Sequence, residues 1–574
     1  MSKHPLVPAI EVIVGERYCL TKPRQTERFR KGFRSGEGEA AMVVLPGTLL
    51  EMWKVLQLIV AADCIVILQA ANTGLTEGST PSGSYDRDVV IISTLRLNRL
   101  HVLDHGRQVV SHPGGTLFEL EKLLRPYGRE SHSVIGSSCI GASIVGGVCN
   151  NSGGALVRRG PVYTELALYA QVTAEGELTL VNHLDIELGE TPEEILGRLD
   201  RGDIDPASVG HGAGHASNSG YAARLRAVDA DTPARYNSDP VGLFEASGSA
   251  GKVAVFAVRL DTFPAETGAK VYYIGTNKSS VLTSLRRRLL TELPELPISG
   301  EYLHRDCFDL THRYGKDVLL MIHWLGTDRL PAFFALKGAI DARLEKIRFL
   351  PRNLTDRFMQ AVSALLPEAL PRRLLDFRDR FEHHLILKVP GSMVAQTETL
   401  LLDCVGSDGW FACDDKETKK AMLHRFAAAG AAIRYGAVRP DRVEGILSLD
   451  IALKRNDDDW FEQLPPELDT QIGKKIYYGH FLCHVLHQDY AVKKGCDPSA
   501  LKQAMLKILD ARGAKYPAEH NVGHVYAAEP ALMSHYASLD PTNSFNPGIG
   551  KMSKFSYYGC SRGCKEHRDA HQAL

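Results

Sequence analysis

The amino-acid sequence predicts an α+β protein of several domains, and three observations support that class. A chain of 574 residues is too long for one core of ordinary size. The chain up to residue 267 alternates strand and helix patterns, and "DTFPAETG" at 261–268 marks a boundary. Beyond it come "KVYYIGT", an arginine-rich helix and "HHLILKV", which indicate a separate α+β domain with a long insertion.

Helix start signals place the first elements. In "MVVLPGTLLEMWKVLQLIVAADCIVILQ", Thr48 and Glu51 form a capping box that opens an amphipathic helix. A short strand precedes this helix and a buried strand follows it at about 65–69, which predicts a βαβ unit. Thr116 and Glu119 repeat the capping signal after a glycine turn.

Composition excludes several classes of function. Hydrophobic residues make up 44% of the chain and charged residues 24%, which is typical of a globular protein. The formal net charge of -1 argues against nucleic acid as a partner, because duplex-binding proteins carry a strong basic excess. No apolar run approaches the ~20 residues of a membrane-spanning helix, and we expect no signal peptide at the N-terminus.

The eleven cysteines are scattered without regular spacing, which favours reduced thiols in a cytosolic compartment. The C-terminal tail combines Cys560 and Cys564 with His567 and His571, a set that could also form a zinc site. No other part of the tail supports that alternative.

A glycine-containing loop, "QAANTGLTEGSTPSG" at 69–83, follows the buried strand. It contains neither the dinucleotide fingerprint nor the phosphate-loop motif with its lysine. Small and hydroxyl residues leave a surface of backbone N–H groups, and such a nest can accept a pyrophosphate without a cation. The alternative is a tight surface turn.

A second stretch favours the ligand interpretation. "SVIGSSCIGASIVGGVCNNSGG" at 133–154 is too apolar for a linker and too rich in glycine for an ordinary helix. Its backbone is therefore expected to lie in close contact with a neighbouring group. Two such loops in one domain predict one extended ligand between them.

These residues carry a resemblance. The segments "VVLPGTLLEMWKVLQLIVAAD", "ILQAANTGLTEGS" and "IGSSCIGASIVGGVCNNSGG" resemble the FAD-binding domain of vanillyl-alcohol-oxidase type flavoproteins. Together with "RKGFRSGEG", "HRFAAAGAAIRY", "YPAEHNVGH" and "DPTNSFNPGIGK", they extend the resemblance from about residue 10 to 553. Over that length the chain is similar to the respiratory, quinone-dependent D-lactate dehydrogenases, a family of peripheral membrane enzymes.

The resemblance implies FAD-dependent oxidation of D-lactate to pyruvate, with electrons passed to a membrane quinone at the cytoplasmic face of the inner membrane. Two alternatives remain open. One is a flavoenzyme for another D-2-hydroxy acid such as D-2-hydroxyglutarate, and the other is a redox-inactive lipid- or metal-binding protein of the same fold.

The implied architecture is a two-subdomain FAD-binding domain and an α+β cap domain with a basic membrane-binding insertion. The FAD-binding domain is expected at 1–267, with its core at about 36–208. The cap is expected at 268–300 and 383–473, on either side of the insertion at 301–382. Residues 474–574 are expected to complete both domains and to end in an unassigned tail.

The resemblance also assigns residues to the cofactor. It implies that the FAD pyrophosphate is wrapped by Ala70, Ala71, Asn72, Thr73, Gly74, Gly78 and Ser79. It implies that Gly136, Ser143 and Gly153 contact the flavin and its ribityl chain, and that Val255 contacts the cofactor through its backbone. Neither loop contains a histidine, so we expect non-covalent FAD.

Oxidation of a 2-hydroxy acid needs a cation for the carboxylate, a base for the hydroxyl proton and a flavin that accepts hydride. Arg425 in "MLHRFAAAGAAIRY" is the best candidate for the carboxylate, because the family has a substrate-binding arginine in this stretch. Arg434 is the second candidate. The alternative for each is an arginine on a helix surface.

The base and a metal are expected near "YYGHFLCHVLHQDY" and "YPAEHNVGH". Related D-2-hydroxy-acid dehydrogenases carry G-H-x-G-D-G-N-x-H and E-H-G-V-G motifs here. The matching positions imply a divalent metal at His480, His487 and Glu519, with His520 as the base. If residues 480–487 form one strand, His480 and His484 share a face and His487 lies opposite unless a bulge intervenes. "LCHV" also departs from the glycine-rich centre of the motif.

The insertion carries the membrane prediction. Between 343 and 380 it has nine basic residues against five acidic ones, interleaved with apolar residues. The basic residues are Arg343, Lys346, Arg348, Arg352, Arg357, Arg372, Arg373, Arg378 and Arg380. A basic amphipathic segment suits adsorption to an anionic lipid surface, although a solvated helical face would have a similar charge pattern.

Overall fold

The structure of the chain is a computed structural model that describes residues 4–132, 141–325, 337, 340, 341, 343, 344, 347 and 353–559. The zinc alternative in the tail lies outside these residues, as do Lys346, Arg348 and Arg352 of the predicted insertion.

A four-stranded sheet near the N-terminus has the strand order β1-β2-β4-β3. Its strands are β1 (Cys19–Leu20), β2 (Met42–Val44), β3 (Ile65–Gln69) and β4 (Val89–Ser93), and its helices are α1 (Val7–Val14), α2 (Pro23–Arg30) and α3 (Leu49–Ala61). Thr48 caps α3 by accepting from the backbone N–H of Glu51, as the sequence predicts. The predicted β2-α3-β3 unit is present, but β4 lies between its two strands and pairs with both in parallel.

A five-stranded antiparallel sheet follows, in the order β5-β6-β10-β8-β9. Its strands are β5 (Leu100–Leu103), β6 (Gln108–Ser111), β8 (Ala167–Val172), β9 (Leu178–Asn182) and β10 (Ala254–Asp261), while β7 (Arg129–Glu130) and β11 (Phe263–Pro264) form a separate ribbon. The helices here are α4 (Leu117–Leu124), α5 (Ile144–Cys149), α6 (Pro192–Arg201) and α7 (Tyr221–Arg226). One apolar core joins this sheet to the first.

The third sheet has seven antiparallel strands, in the order β15-β12-β14-β13-β17-β18-β16. Its strands are β12 (Lys270–Thr276), β13 (Ser299–His304), β14 (His383–Val389), β15 (Trp410–Ala412), β16 (Val443–Ala452), β17 (Ile472–His480) and β18 (Val485–Lys493). The expected cap boundary at residue 300 therefore falls inside a central strand.

Helices cover both faces of the seven-stranded sheet. They are α8 (Ser279–Thr291), α9 (Arg305–Tyr314), α10 (Lys316–Leu325), α11 (Leu354–Leu365), α12 (Arg372–Arg380), α13 (Val394–Val405), α14 (Asp415–Val438), α15 (Pro466–Asp469), α16 (Pro498–Ala511) and α17 (Pro530–Leu539). Alternate strand residues serve different cores: Tyr272 packs in one with α8 and α13, and Tyr273 in the other with α9 and α14. Within the described residues, no helix combines the length and apolar composition needed to cross a membrane.

The C-terminal segment returns to the N-terminal sheet. Phe545 forms a parallel bridge with Val66 of β3, and the Asn546 side chain donates to the carbonyl of Gly78 at 2.8 Å. The same amide also donates to the carbonyl of Ala250 at 2.8 Å. Asn546 thus fixes the end of the first glycine loop.

Candidate active site

A β-hairpin brings two of the predicted metal ligands together. β17 ends at His480, a tight 3-10 turn covers 481–483, and β18 begins at Val485. The His480 and His487 rings lie 5.2 Å apart between centroids. The single-strand interpretation of this run was therefore wrong. The chain reverses at His484, which adopts a left-handed conformation (φ 53°), is buried, and bonds through Nδ1 to the carbonyl of Lys454.

Glu519 completes the cluster from a loop. Its Oε2 lies 3.3 Å from His480 Nε2 and 3.7 Å from His487 Nε2. One ligand atom from each of these three residues falls within 4.8 Å of the other two. Two imidazole nitrogens and a carboxylate oxygen at this spacing form a donor set that suits a divalent metal.

Two further carboxylates hold the histidines from behind. Glu301 Oε1 lies 2.7 Å from His480 Nδ1, and Asp450 Oδ1 lies 3.1 Å from His487 Nδ1. The strand register explains both contacts, because Glu301 on β13 is opposite His480 and Asp450 on β16 is opposite His487. A carboxylate on Nδ1 leaves Nε2 free to ligate, which is the usual outer arrangement of a metal site.

Arg425 extends from α14 to the same cluster. Its Nη2 lies 2.9 Å from Glu301 Oε2, and its guanidinium stacks on the Tyr478 ring at 4.6 Å. Its Nε is buried and has no hydrogen-bond partner among the described residues. Arg434, the second candidate, is instead engaged by Asp317 and Asp356 and does not reach the cluster. The structure thus separates the two arginines that the sequence left as alternatives.

His520 lies beside the cluster and shares Asp450 with His487. Its Nδ1 is 2.6 Å from Asp450 Oδ2, which also accepts the backbone N–H of Glu519 at 2.8 Å. The His520 side chain is 31% exposed, and its Nε2 makes no hydrogen bond to the part of the chain that the structure describes. Asp450 therefore orients His520 with one ring nitrogen available to a substrate.

The electrostatics follow from burial of these opposite charges. Burial opposes ionisation of Glu301, but His480 and Arg425 outweigh it and lower its pKa. Burial also opposes the charged form of His480, yet Glu301 and Glu519 raise its pKa to about 10. Asp450 raises the pKa of His520 in the same way, against the effect of burial. A metal at the cluster would replace these protons as the neutralising charge.

Arg235 connects the cluster to the second glycine loop. It is buried, and its Nη2 donates to Glu519 Oε1 and, at 2.8 Å, to the carbonyl of Gly154. A methyl group at Gly153 would collide with the Glu519 carboxylate. The flavin-contacting loop that the resemblance implies therefore lies directly against the candidate metal ligands.

The first glycine loop provides the donors that a pyrophosphate needs. From Asn72 to Ser79, no backbone N–H donates to an acceptor within the described residues. Gly74 faces open space, and a Cβ at Gly141 of the second loop would lie 3.8 Å from the Ala71 methyl. The two loops meet, and the eight N–H groups of 72–79, which have no acceptor among the described residues, fit an anionic group of this kind.

Several side chains assigned to the cofactor have structural partners. Asn72, at φ 53°, donates to the carbonyl of Lys31 at 2.7 Å and accepts from Ser79 and Thr80 at 2.9 and 3.3 Å. Ser143 caps α5 by accepting from Gly146 at 3.0 Å. These hydroxyls and amides shape the two loops through bonds within the protein.

The other assigned positions are placed as follows. Ala70, Ala71, Thr73, Gly74 and Gly78 all belong to the first loop. Val255 lies in β10 next to an irregularity in its pairing with β8, and its side chain is buried in the core. Gly136 lies outside the described residues.

Comparison with known proteins gives two matching family models. Residues 271–558, half of the chain, match "D-lactate dehydrogenase, membrane binding", and residues 40–182 match "FAD binding domain". A quinone-dependent D-lactate dehydrogenase of Escherichia coli strain K12 is 59% identical over 94% of this chain and 95% of its own. The chain belongs to the quinone-dependent D-lactate dehydrogenase family. The enzyme of that name from Haemophilus influenzae is 54% identical over 97% of this chain and all of its own.

Solved structures of distant relatives share the fold. Alkyldihydroxyacetonephosphate synthase has a TM-score of 0.57 at 14% identity, covering 95% of this chain and 85% of its own. The 4-ethylphenol oxidase of Gulosibacter chungangensis has a TM-score of 0.57 at 11% identity, covering 95% and 96%. The α+β class and the fold of the vanillyl-alcohol-oxidase type flavoproteins are thereby confirmed. The match of residues 40–182 to the FAD-binding family model confirms FAD as the cofactor.

Sequence reasoning missed four residues of this site: Glu301, Asp450, Arg235 and Asn546. The carboxylates had one usable signal, since each is an acid inside an apolar strand, in "SGEYLH" and "ILSLDIAL". Asn546 lies in the quoted motif "DPTNSFNPGIGK" but had no role assigned to it. Nothing in the neighbourhood of Arg235 distinguishes it from a surface arginine.

Proposed function

We propose that this chain oxidises D-lactate to pyruvate at the His480, His487 and Glu519 cluster and passes the electrons through FAD to a membrane quinone. The observation that carries the proposal is the meeting of that cluster with both glycine loops. Gly153 lies against Glu519, and a Cβ at Gly78 would lie 3.2 Å from Asn521 Nδ2, two residues further on. Substrate and flavin would therefore share one space.

Arg425 is proposed to bind the substrate carboxylate. Its Nη2 is held by Glu301 and its plane is fixed by Tyr478, while the buried Nε has no partner in the described part of the chain. A guanidinium held in this way offers a charge-assisted hydrogen bond in a fixed direction. Fixing the carboxylate orients the α-carbon, which contributes to the rate through positioning.

His520 is proposed to take the hydroxyl proton. Asp450 engages Nδ1, so Nε2 is the nitrogen that can accept it. Asp450 also stabilises the imidazolium that results. FAD, when bound, would accept the α-hydrogen as hydride, and the α-carbon with its oxygen would become the carbonyl of pyruvate.

His480, His487 and Glu519 are proposed to hold a divalent metal. Both Nε2 atoms point toward Glu519 Oε2, and both Nδ1 atoms are backed by carboxylates. A metal there would lower the pKa of the substrate hydroxyl and ease its loss of a proton. Glu519 would bind through Oε2, because Arg235 occupies Oε1.

The metal proposal predicts a bound ion that depends on His487. Purified enzyme should contain about one divalent ion per chain by elemental analysis, and His487→Ala should lose it while retaining FAD. His312→Gln, which changes a histidine bonded to Glu368 outside the cluster, is the control. Equal metal content in His487→Ala and the unaltered chain would remove the metal from this site.

The pyrophosphate proposal predicts that Asn72 supports FAD binding through its side chain. Asn72→Gly keeps a residue suited to positive φ but removes three hydrogen bonds, so the Kd for FAD should rise about tenfold or more. Titration of the apoprotein with FAD would measure it. Asn353→Gly replaces an exposed asparagine at φ 57° and should leave the Kd unchanged. An unaltered Kd in Asn72→Gly would contradict the proposed nest.

Residues 301–382, the basic insertion expected from the sequence, are proposed to form the membrane-associating part of the chain. The match to a membrane-binding family model over 271–558 supports it. We propose further that the lipids are anionic and that the protein lies on the cytoplasmic face of the inner membrane. The exposed arginines of α12 support the first point, since Arg372 has 93% of its side chain exposed.

An anaerobic visible spectrum, titrated with D-lactate and then with L-lactate, tests the proposed reaction. Bleaching of the flavin band by D-lactate alone is the expected result. A flavin band that resists D-lactate but is bleached by D-2-hydroxyglutarate would replace the substrate in the proposal. A flavin that no 2-hydroxy acid reduces would overturn it.

A further inference from the structure

The exposed face of α11 is almost entirely apolar. Six of its residues are exposed, and they are Arg357, Phe358, Ala361, Val362, Ala364 and Leu365. Phe358 is 68% exposed and Leu365 is 87% exposed, and with Val362 they follow an i, i+4, i+7 spacing. A helix face in contact with water normally carries lysine and glutamate, so this face is poorly suited to bulk solvent.

The neighbouring helix α14 also has an exposed apolar row. After the exposed Lys419, the exposed residues of α14 up to its C-terminal end are Phe426, Gly430 and Ile433, again spaced as one row. Asp356 of α11 pairs with Arg434 of α14 at 2.7 Å, and Asn353 donates to the carbonyl of Ala437 at 3.4 Å. The two helices are therefore packed together, and each leaves an apolar row uncovered.

We propose that the apolar rows of α11 and α14 form a membrane-inserting surface that enters the acyl boundary of a bilayer. This inference rests on the membrane function proposed above. Electrostatic adsorption alone would need only basic residues, whereas these rows offer the apolar side chains that insertion requires. Arg357, the one charged residue among the exposed positions of α11, is basic and complements anionic headgroups at the edge of the row.

The placement of α14 gives this surface a function. Arg425 and Phe426 are consecutive on α14, with Arg425 buried toward Glu301 and Phe426 exposed on the outer side. The candidate active site and the membrane-inserting surface thus lie on different faces of one helix, since consecutive helical residues point about 100° apart. A quinone dissolved in the acyl layer would reach the protein at a surface formed by the residue next to the proposed substrate-binding arginine.

Vesicle binding at high salt tests the surface. Salt screens attraction between exposed charges but leaves apolar insertion largely intact. The unaltered chain should bind phosphatidylcholine vesicles that contain phosphatidylglycerol, and a salt-resistant fraction should remain. The triple variant Phe358→Gln, Leu365→Gln and Ile433→Gln should lose that fraction, with a partition coefficient reduced about tenfold or more.

The matched control replaces exposed apolar residues elsewhere. Leu402 on α13 is 55% exposed and Met533 on α17 is 42% exposed, and Leu402→Gln with Met533→Gln should bind like the unaltered chain. D-lactate oxidation with a soluble dye as acceptor should be unchanged in both variants, which shows that they are folded.

Three outcomes would overturn the inference. The first is vesicle binding by the triple variant equal to that of the unaltered chain at high salt. The second is equal loss of binding in the control. The third is an oligomer of the unaltered chain that the triple variant no longer forms while it still binds vesicles, which would make the rows a subunit interface. If the unaltered chain binds no vesicles at all, the proposed membrane function fails as well.

Discussion

His520→Gln is expected to lower kcat for D-lactate by about 10²- to 10⁴-fold, the range found when a positioned general base is removed. Glutamine has no nitrogen that can accept the hydroxyl proton. Its amide can still donate to Asp450, so the neighbouring His487 and Glu519 should keep their positions. The KM should change little, because Arg425 and not His520 is proposed to hold the carboxylate.

Stopped-flow measurement of flavin reduction under anaerobic conditions isolates this step from quinone reduction. His183→Gln is a suitable control, since His183 also contacts a carboxylate, that of Glu245 at 2.7 Å, but lies on the surface. Flavin reduction in His520→Gln at the rate of the unaltered enzyme would assign the base to another residue.

Arg425→Ala is expected to raise the KM for D-lactate and to lower kcat/KM by about a hundredfold, with normal FAD content. The estimate follows from loss of a charge-assisted bond in a buried site, worth about 2–5 kcal/mol. Part of the loss would come from Glu301, which would keep His480 as its partner but lose its guanidinium.

Arg425→Lys separates the contribution of the positive charge from that of the guanidinium hydrogen bonds. Lysine keeps the charge beside Glu301 but cannot reproduce the planar fork of hydrogen-bond donors. Its kcat/KM should therefore lie between those of Arg425→Ala and the unaltered enzyme. Steady-state kinetics with both variants measure this order, and an unchanged KM in Arg425→Ala would remove Arg425 from the substrate site.

Local signals in the sequence predicted the elements and the glycine loops well. The N-terminal cap at Thr48 and the buried strand before Ala70 depend on neighbours within a few residues, and both are present. The second bond of the predicted capping box differs, because the Glu51 carboxylate accepts from the backbone N–H of Gly47. The turn at His484 was missed for a physical reason. A non-glycine residue at positive φ is uncommon, and "LCHV" carries neither the glycine nor the asparagine that normally signals such a turn.

Local sequence signals could not identify the residues that support the cluster from outside it, such as Glu301 and Arg235. Glu301 and His480 are 179 residues apart in the sequence, and Arg235 and Glu519 are 284 residues apart. Only the strand order of the seven-stranded sheet and the return of the C-terminal segment bring them together. Motifs in the sequence indicated the candidate metal ligands, whereas the orientation of these side chains depends on tertiary contacts that have no local pattern.

The return of the C-terminal segment also constrains how the protein is made. Asn546 bonds to Gly78 across 468 positions, and Phe545 pairs with the edge strand that leads into the same loop. On a translating ribosome, these contacts cannot form until residue 546 has left the exit tunnel. The nascent N-terminal domain must therefore wait with an open sheet edge, and its first glycine loop is fixed only after all seven strands of the large sheet have been synthesised.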